Sequence, residues 1–144
     1  MKKIILMGAV GCGKTTLTQA LHGQSLDYDK TQALQFHEDI IDTPGEYILH
    51  RKFIQSLTVT AAESDVIGLV QSVAEQEQIF SYGFAGMFPK ETLGIITKID
   101  LAQSTEEIRF VESQLKEAGA KKIFKISAYQ QKGIGELKKY LEGS

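Results

Sequence analysis

Eight residues near the start of the chain, Gly8-Ala9-Val10-Gly11-Cys12-Gly13-Lys14-Thr15, match the pattern GxxxxGK[ST] in full. Glycines at this spacing let a backbone turn around a phosphate and aim its N–H groups at it, and a following helix adds its positive end. Lys14 then offers a point charge to the β- and γ-phosphates of a nucleotide, and the Thr15 hydroxyl is a ligand type suited to Mg2+. Gly8, Gly11, Cys12, Gly13 and Thr16 are counted with them as nucleotide contacts. Further along, Asp42-Thr43-Pro44-Gly45 places an acid where it can hold Mg2+ through water and a glycine whose N–H can approach a γ-phosphate. On its own, DTPG is also a common turn sequence.

Thr97-Lys98-Ile99-Asp100 offers a carboxylate able to accept from the N1 and N2 edge of guanine, a donor pair that adenine lacks. The Lys98 stem can lie along the base plane. Ser127-Ala128 follows another apolar run in the same way, and as a dipeptide carries little information.

These groups need elements to position them. Apolar runs at Ile4–Met7, Asp39–Asp42, Ser64–Val70, Thr92–Thr97 and Lys122–Ile126 show little polar alternation, as expected of strands covered on both faces. Ala33–His37 alternates more and reads as an edge strand. Helices are expected over Lys14–His22, stopped at Gly23, and over Tyr47–Ala62. Ser104 with Glu107 forms a capping box ahead of an apolar stripe at Ile108, Val111, Leu115 and Ala118, which Gly119 ends. A last helix carries Ile134, Leu137, Tyr140 and Leu141 on one face. Strands alternating with helices make a six-strand α/β plan with a mostly parallel sheet. The glycine loop thus follows a strand and opens a helix, and DTPG, TKID and SA each stand at a strand end, where open α/β sheets bind ligands.

At 144 residues the chain fits one domain, expected to span residues 1–144. A net charge of −2 with scattered lysines leaves no footprint for nucleic acid or an anionic membrane. One cysteine excludes an internal disulfide and a thiolate metal cluster, and no apolar run approaches a membrane span. The glycines interrupting MKKIILMGAV argue against a signal peptide, so a cytoplasmic location is expected. His22, His37 and His50 have no metal-binding spacing, and Arg51 reads as a surface residue.

With GAVGCGKT, DTPG, TKID and SA in this order, the chain resembles the Ras-like GTPase superfamily along nearly its whole length. Within it, YDKTQA at 28–33, IDTPGEY, VIGLVQ, FSYGFAGMF and GIITKIDL look like the EutP/PduV family, associated with bacterial ethanolamine or propanediol utilisation and with microcompartments. The resemblance implies a three-layer P-loop NTPase fold, five parallel strands and one antiparallel edge strand. It also implies GTP/GDP and Mg2+ as ligands, slow GTP hydrolysis, and a switch function. Lys14, Thr31 and Gly45 become the residues serving γ-phosphate chemistry, with Thr15, Thr31 and (through water) Asp42 on the metal. Thr97, Lys98, Asp100, Ser127 and Ala128 serve the base. Without the resemblance, Thr31 is only a polar loop residue before an edge strand, and 23–31 a polar segment suited to ordering by nucleotide.

Several positions depart from the Ras-like pattern. Glu46 stands where a water-orienting glutamine is common, and its charge opposes a γ-phosphate, so intrinsic hydrolysis is expected to be slow. Thr97 replaces the commoner asparagine, and Val10 crowds a loop position that is glycine in Ras itself. Phe80, Tyr82, Phe84, Met87 and Phe88 form either the apolar side of a short helix or a docking surface for a shell protein, a pathway enzyme or a second copy of the chain. Two other functions suit the same phosphate loop: transfer of the γ-phosphate to a small carboxylate, and a non-hydrolysing adaptor stabilised by bound nucleotide.

Overall fold

The computed structural model describes residues 2–9, 11–21, 35–37, 40–43 and 51–143. Among these, β1 (Ile4–Met7), β2 (Gln35–His37), β3 (Ile40–Asp42), β4 (Val66–Ser72), β5 (Glu91–Thr97) and β6 (Lys122–Lys125) form one sheet. Its order is β2-β3-β1-β4-β5-β6. β1, β3, β4, β5 and β6 run parallel and β2 pairs antiparallel with β3, so the expected edge strand is the reversed one.

Helices α1 (Lys14–Leu21) and α4 (Ile134–Leu141) cover one face, and α2 (Arg51–Ala61) and α3 (Thr105–Ala118) the other. Period-two geometry explains why β1 is apolar throughout. Ile4 and Leu6 pack with Leu17, Leu21, Leu137 and Leu141, while Ile5 and Met7 pack with Leu57, Val111 and Leu115. α3 starts as its sequence anticipates, with the Ser104 Oγ accepting from the Glu107 N–H at 3.3 Å. The return half of the capping box differs, because the Glu107 carboxylate accepts from the Gln103 N–H, one residue earlier. Gly119, at φ 116°, ends the helix. Among the described residues no helix is long and apolar enough to cross a membrane.

Three expectations shift. β4 begins at Val66 rather than Ser64 and runs on to Ser72. Asp65 is held in the turn by the Lys3 N–H, 2.9 Å from its carboxylate, and Ser64 closes the end of α2 through Ala61. At the far end, the buried Gln71 amide continues the strand by donating to the Gln114 Oε1 and the Glu75 carbonyl. β6 ends at Lys125 rather than Ile126, and it is the second edge strand of the sheet, with Ile123 packed into one face and Phe124 into the other. α2 ends at Ala61, and the expected start at 47–50 lies outside the described residues, as do His22, Gly23, Ala33 and Asp39.

The segment between β4 and β5 carries a single turn of 3-10 helix, Phe84–Met87. Phe80, Phe84 and Phe88 are buried and tilted against one another, with ring centroids 5.2 and 5.6 Å apart, and they fill the sheet face beside α3. The apolar-side reading of these rings is the one observed. Tyr82 and Met87 are left exposed.

Candidate nucleotide site

The phosphate loop connects β1 to α1, and its glycines are required by space and by backbone. A Cβ at Gly8 would stand 2.5 Å from the Val70 carbonyl oxygen, and Gly11 and Gly13 have φ of 83° and 101°. The Lys14 ammonium is buried (6 % exposed) and turned back onto the loop, donating to the Gly8 carbonyl at 2.8 Å and the Ala9 carbonyl at 3.3 Å. Its third neighbour is the Cys12 Sγ at 3.7 Å. The loop is therefore wrapped around a positive charge whose partners a phosphate oxygen can replace.

On the other side of the loop, the Thr15 hydroxyl donates to the Asp42 Oδ2 at 2.9 Å. Asp42 is at the end of β3 and buried, and the neighbouring Thr43 hydroxyl fixes it by donating to the Leu6 carbonyl at 2.7 Å. A hydroxyl and a carboxylate this close are hard oxygen donors, of the type that hold Mg2+ together with phosphate oxygens and water. Among the described residues no group of three or more histidine, cysteine or acidic side chains is placed to hold a metal ion.

The ends of β5 and β6 are tied directly to this loop. The Thr97 hydroxyl donates to the Cys12 carbonyl. Lys98 adopts a left-handed conformation (φ 59°) and its ammonium donates to the Gly11 carbonyl at 2.7 Å. Thus Lys98 reaches the phosphate loop with its head, which the spacing alone does not reveal. The Ser127 hydroxyl donates to the Asp100 Oδ1 at 2.7 Å, orienting that carboxylate. Ser127 is itself held by paired backbone bonds with Lys132, at 3.0 and 2.9 Å.

Between these loops lies a cavity of about 280 Å3. Gly11, Gly13, Thr16 and Leu17 line it from the phosphate-loop side, and Thr97, Lys98 and Asp100 from the end of β5. Ile126, Ala128 and Tyr129 complete it from the end of β6. Of these, Leu17, Ile126 and Tyr129 were not singled out by motif. Tyr129 adjoins Ser127-Ala128 and its position was the available signal. Thr31, Gly45, Glu46 and Val10 lie outside the described residues.

Cys12 is buried behind the loop. Burial pushes its thiol up from the ordinary value of 9.0, and the adjacent Lys14 only partly offsets this. The native protein is expected to react with iodoacetamide at pH 8 at least about tenfold more slowly than the unfolded chain. Because the fold raises this pKa, folded protein holds the thiol proton more tightly. This contribution to stability is full below pH 9 and declines as pH rises further. Alkylation at equal rates in native and denaturing buffer would contradict the burial.

Taken together, a GxxxxGKT loop after the first strand, an acid at the end of β3 and a TKID segment at the end of β5 define a P-loop GTPase-like fold. The chain belongs to the PduV-EutP family, described as ethanolamine utilisation - propanediol utilisation, which matches residues 1–143. It is 44% identical to the propanediol utilization protein PduV of Citrobacter freundii over 95% of this chain and 91% of that one. It is 33% identical to a protein of Salmonella typhimurium named probable acetate kinase EutP, over 98% of this chain and 89% of the relative. The GTPase Era of Mycoplasmopsis pulmonis is 29% identical over 94% of this chain, which spans 54% of Era. Among solved structures, the bacterial selenocysteine-specific elongation factor EF-Sec superposes with a TM-score of 0.68 at 22% identity. That match covers 98% of this chain and 28% of the elongation factor.

Proposed function

We propose that the chain is a single small G domain that binds GTP and GDP with Mg2+, hydrolyses GTP slowly, and serves as a nucleotide-dependent switch in ethanolamine or propanediol utilisation. The observation that carries this reading is the junction of the two loops. Thr97 and Lys98 donate to carbonyls of the phosphate loop while Ser127 orients Asp100 on the same cavity. A carboxylate held there selects a base that presents two adjacent donors, which is guanine and not adenine.

The roles follow from chemistry and position. Lys14 exchanges its carbonyl partners for β- and γ-phosphate oxygens, and the loop N–H groups share that charge. Thr15 and Asp42 hold Mg2+, which when bound neutralises phosphate charge. Thr31 and Gly45 report the γ-phosphate, and Glu46 in place of an amide keeps hydrolysis slow. The test is titration of nucleotide-free protein with fluorescent GDP, GTP and ATP in Mg2+. Guanine nucleotides are expected to bind at least about a hundredfold more tightly than ATP. Equal or preferred binding of ATP overturns the reading.

The names of the EutP relatives favour a second reading, in which the γ-phosphoryl group passes to an acetate oxygen, giving acetyl phosphate and the nucleoside diphosphate. Incubation with γ-labelled GTP or ATP and acetate separates the two, since a switch releases inorganic phosphate and a kinase forms a hydroxylamine-reactive acyl phosphate. A cytoplasmic protein docking on a microcompartment shell or pathway enzyme through the segment from Phe80 to Phe88 would do so with Tyr82 and Met87. The three phenylalanine rings are already committed to the core.

A further inference from the structure

Behind the phosphate loop lies a second pocket, of about 40 Å3 against the 280 Å3 of the nucleotide cavity. Ala9 and Cys12 line it from the loop, Gln71 and Ser72 from the end of β4, and Glu75 and Ile79 from the segment that follows. Gln71 is 1 % exposed, and its hydrogen bonds fix which way its amide points. The NH2 donates to the Glu75 carbonyl at 3.0 Å and to the Gln114 Oε1 at 2.7 Å. Gln114 in turn spends its own NH2 on the Gln76 carbonyl, at 3.4 Å, so its oxygen is the atom that faces Gln71. That leaves the Gln71 Oε1 buried with no hydrogen-bond partner, a state that costs free energy unless a donor reaches it.

The neighbouring groups are acceptors too. The Ser72 Oγ accepts from the Ala74 N–H at 3.1 Å and keeps a second lone pair. The half-buried Glu75 carboxylate accepts from the Glu77 N–H at 3.0 Å and pairs with no lysine or arginine among the described residues. The Ala9 carbonyl already takes one ammonium group, that of Lys14, at 3.3 Å. No basic side chain is among the described lining residues. Four acceptors, one of them charged, thus border one small space. A divalent metal suits it poorly, because among the described residues no three histidine, cysteine or acidic side chains are placed to hold one. Water brings two donors and leaves the Glu75 charge uncompensated. An ammonium ion brings four N–H donors and one positive charge.

We propose that this pocket binds an ammonium ion through the Gln71 Oε1, the Ser72 Oγ, the Glu75 carboxylate and the Ala9 carbonyl, and binds it more tightly when nucleotide is present. The site stands on its own geometry, and its coupling to nucleotide rests on the reading above. In that reading Lys14 leaves the Ala9 carbonyl for phosphate oxygens, which frees this acceptor and draws one positive charge away from the pocket. Cation and nucleotide then favour each other, by the same factor in both directions.

The test uses the full-length chain in ammonium, potassium and tetramethylammonium chloride at equal ionic strength, with Mg2+ throughout. Tetramethylammonium carries the charge without an N–H, and potassium matches ammonium in charge and approximate size without donors. In calorimetric titration GDP is expected to bind at least about fivefold more tightly in ammonium than in tetramethylammonium. In potassium it is expected to bind within about twofold of its affinity in tetramethylammonium. Without nucleotide, wild type is expected to melt about 2–4 °C higher in ammonium than in tetramethylammonium. Glu75→Gln keeps an acceptor for the Glu77 N–H and removes the charge. It is expected to abolish both ammonium effects while binding GDP as wild type does in tetramethylammonium. Gln71→Met removes the orphaned oxygen and is expected to abolish them too, with its own melt to check that it folds. Equal GDP affinity and equal melting in all three salts would mean that water alone fills the pocket, which overturns the site and leaves the nucleotide reading standing. Equal gains in ammonium and potassium would overturn the hydrogen-bonded ammonium, and gains retained by Glu75→Gln would place the ion elsewhere. An ammonium-raised melt in a protein that binds no GDP would sustain the site and sink the nucleotide reading.

Discussion

Replacing Lys14 by methionine is expected to weaken binding of both GDP and GTP by about 100- to 1000-fold, the range set by losing two charge-assisted hydrogen bonds to phosphate. Methionine keeps much of the side-chain volume in a position that is 6 % exposed, so the change removes charge and donors rather than packing. The ammonium has three neighbours on the loop, the Gly8 and Ala9 carbonyls and the Cys12 sulfur. A second consequence is specific to this arrangement. Lys14→Met leaves the Gly8 carbonyl without its side-chain donor, and a buried acceptor left unmade costs about 1–3 kcal/mol. The nucleotide-free variant should therefore melt at a lower temperature than wild type. Fluorescent-GDP titration and a thermal melt check the two effects separately. Binding within about fivefold of wild type would place the phosphates elsewhere.

The site was legible where local chemistry and chain order coincide. A glycine loop after IILM and an acid closing a strand at Asp42 need no tertiary knowledge, because each is a short segment with its own backbone requirement. Alternation at Ala33–His37 marked an edge strand, its reversed direction was implied by the resemblance, and β2 is the strand that pairs antiparallel. What escaped was set by contacts between distant residues. Ser64 and Asp65 read as strand until the Lys3 N–H holds Asp65 in a turn. The run Lys122–Ile126 gave no sign of an edge, and only the sheet order places β6 at one. The Lys98 stem was placed along the base plane, and only the fold shows that its head donates to Gly11, 87 residues away. Tyr129 belongs to the same class: its neighbours Ser127-Ala128 gave its address, and its place on the cavity wall needed the turn at 127–132. The aromatic cluster from Phe80 to Phe88 was ambiguous for a different reason. Burial and docking draw on the same side chains, and composition cannot separate them.

The base-reading role predicts a change of ligand rather than a simple loss. In Asp100→Asn the Ser127 hydroxyl, now 2.7 Å from Oδ1, still donates, so the amide turns its oxygen towards Ser127 and its NH2 towards the base. Guanine then presents its N1–H and N2 amine to a donor. Two donors of the base lose their acceptor and face like polarity, and GDP affinity is expected to fall at least about a hundredfold. Xanthine carries an oxygen where guanine carries the N2 amine, so the same NH2 becomes a partner and xanthosine diphosphate is expected to bind the variant better than GDP. The phosphate loop is untouched by the exchange, and pyrophosphate binding should not change. Titration of wild type and Asp100→Asn with GDP, xanthosine diphosphate and pyrophosphate reads all three. A loss for every ligand would mean that the substitution loosens the loops, because Thr97 and Lys98 join the end of β5 to the phosphate loop. A loss confined to GDP, with a gain for xanthosine diphosphate, is the result that only direct contact between residue 100 and the base edge produces.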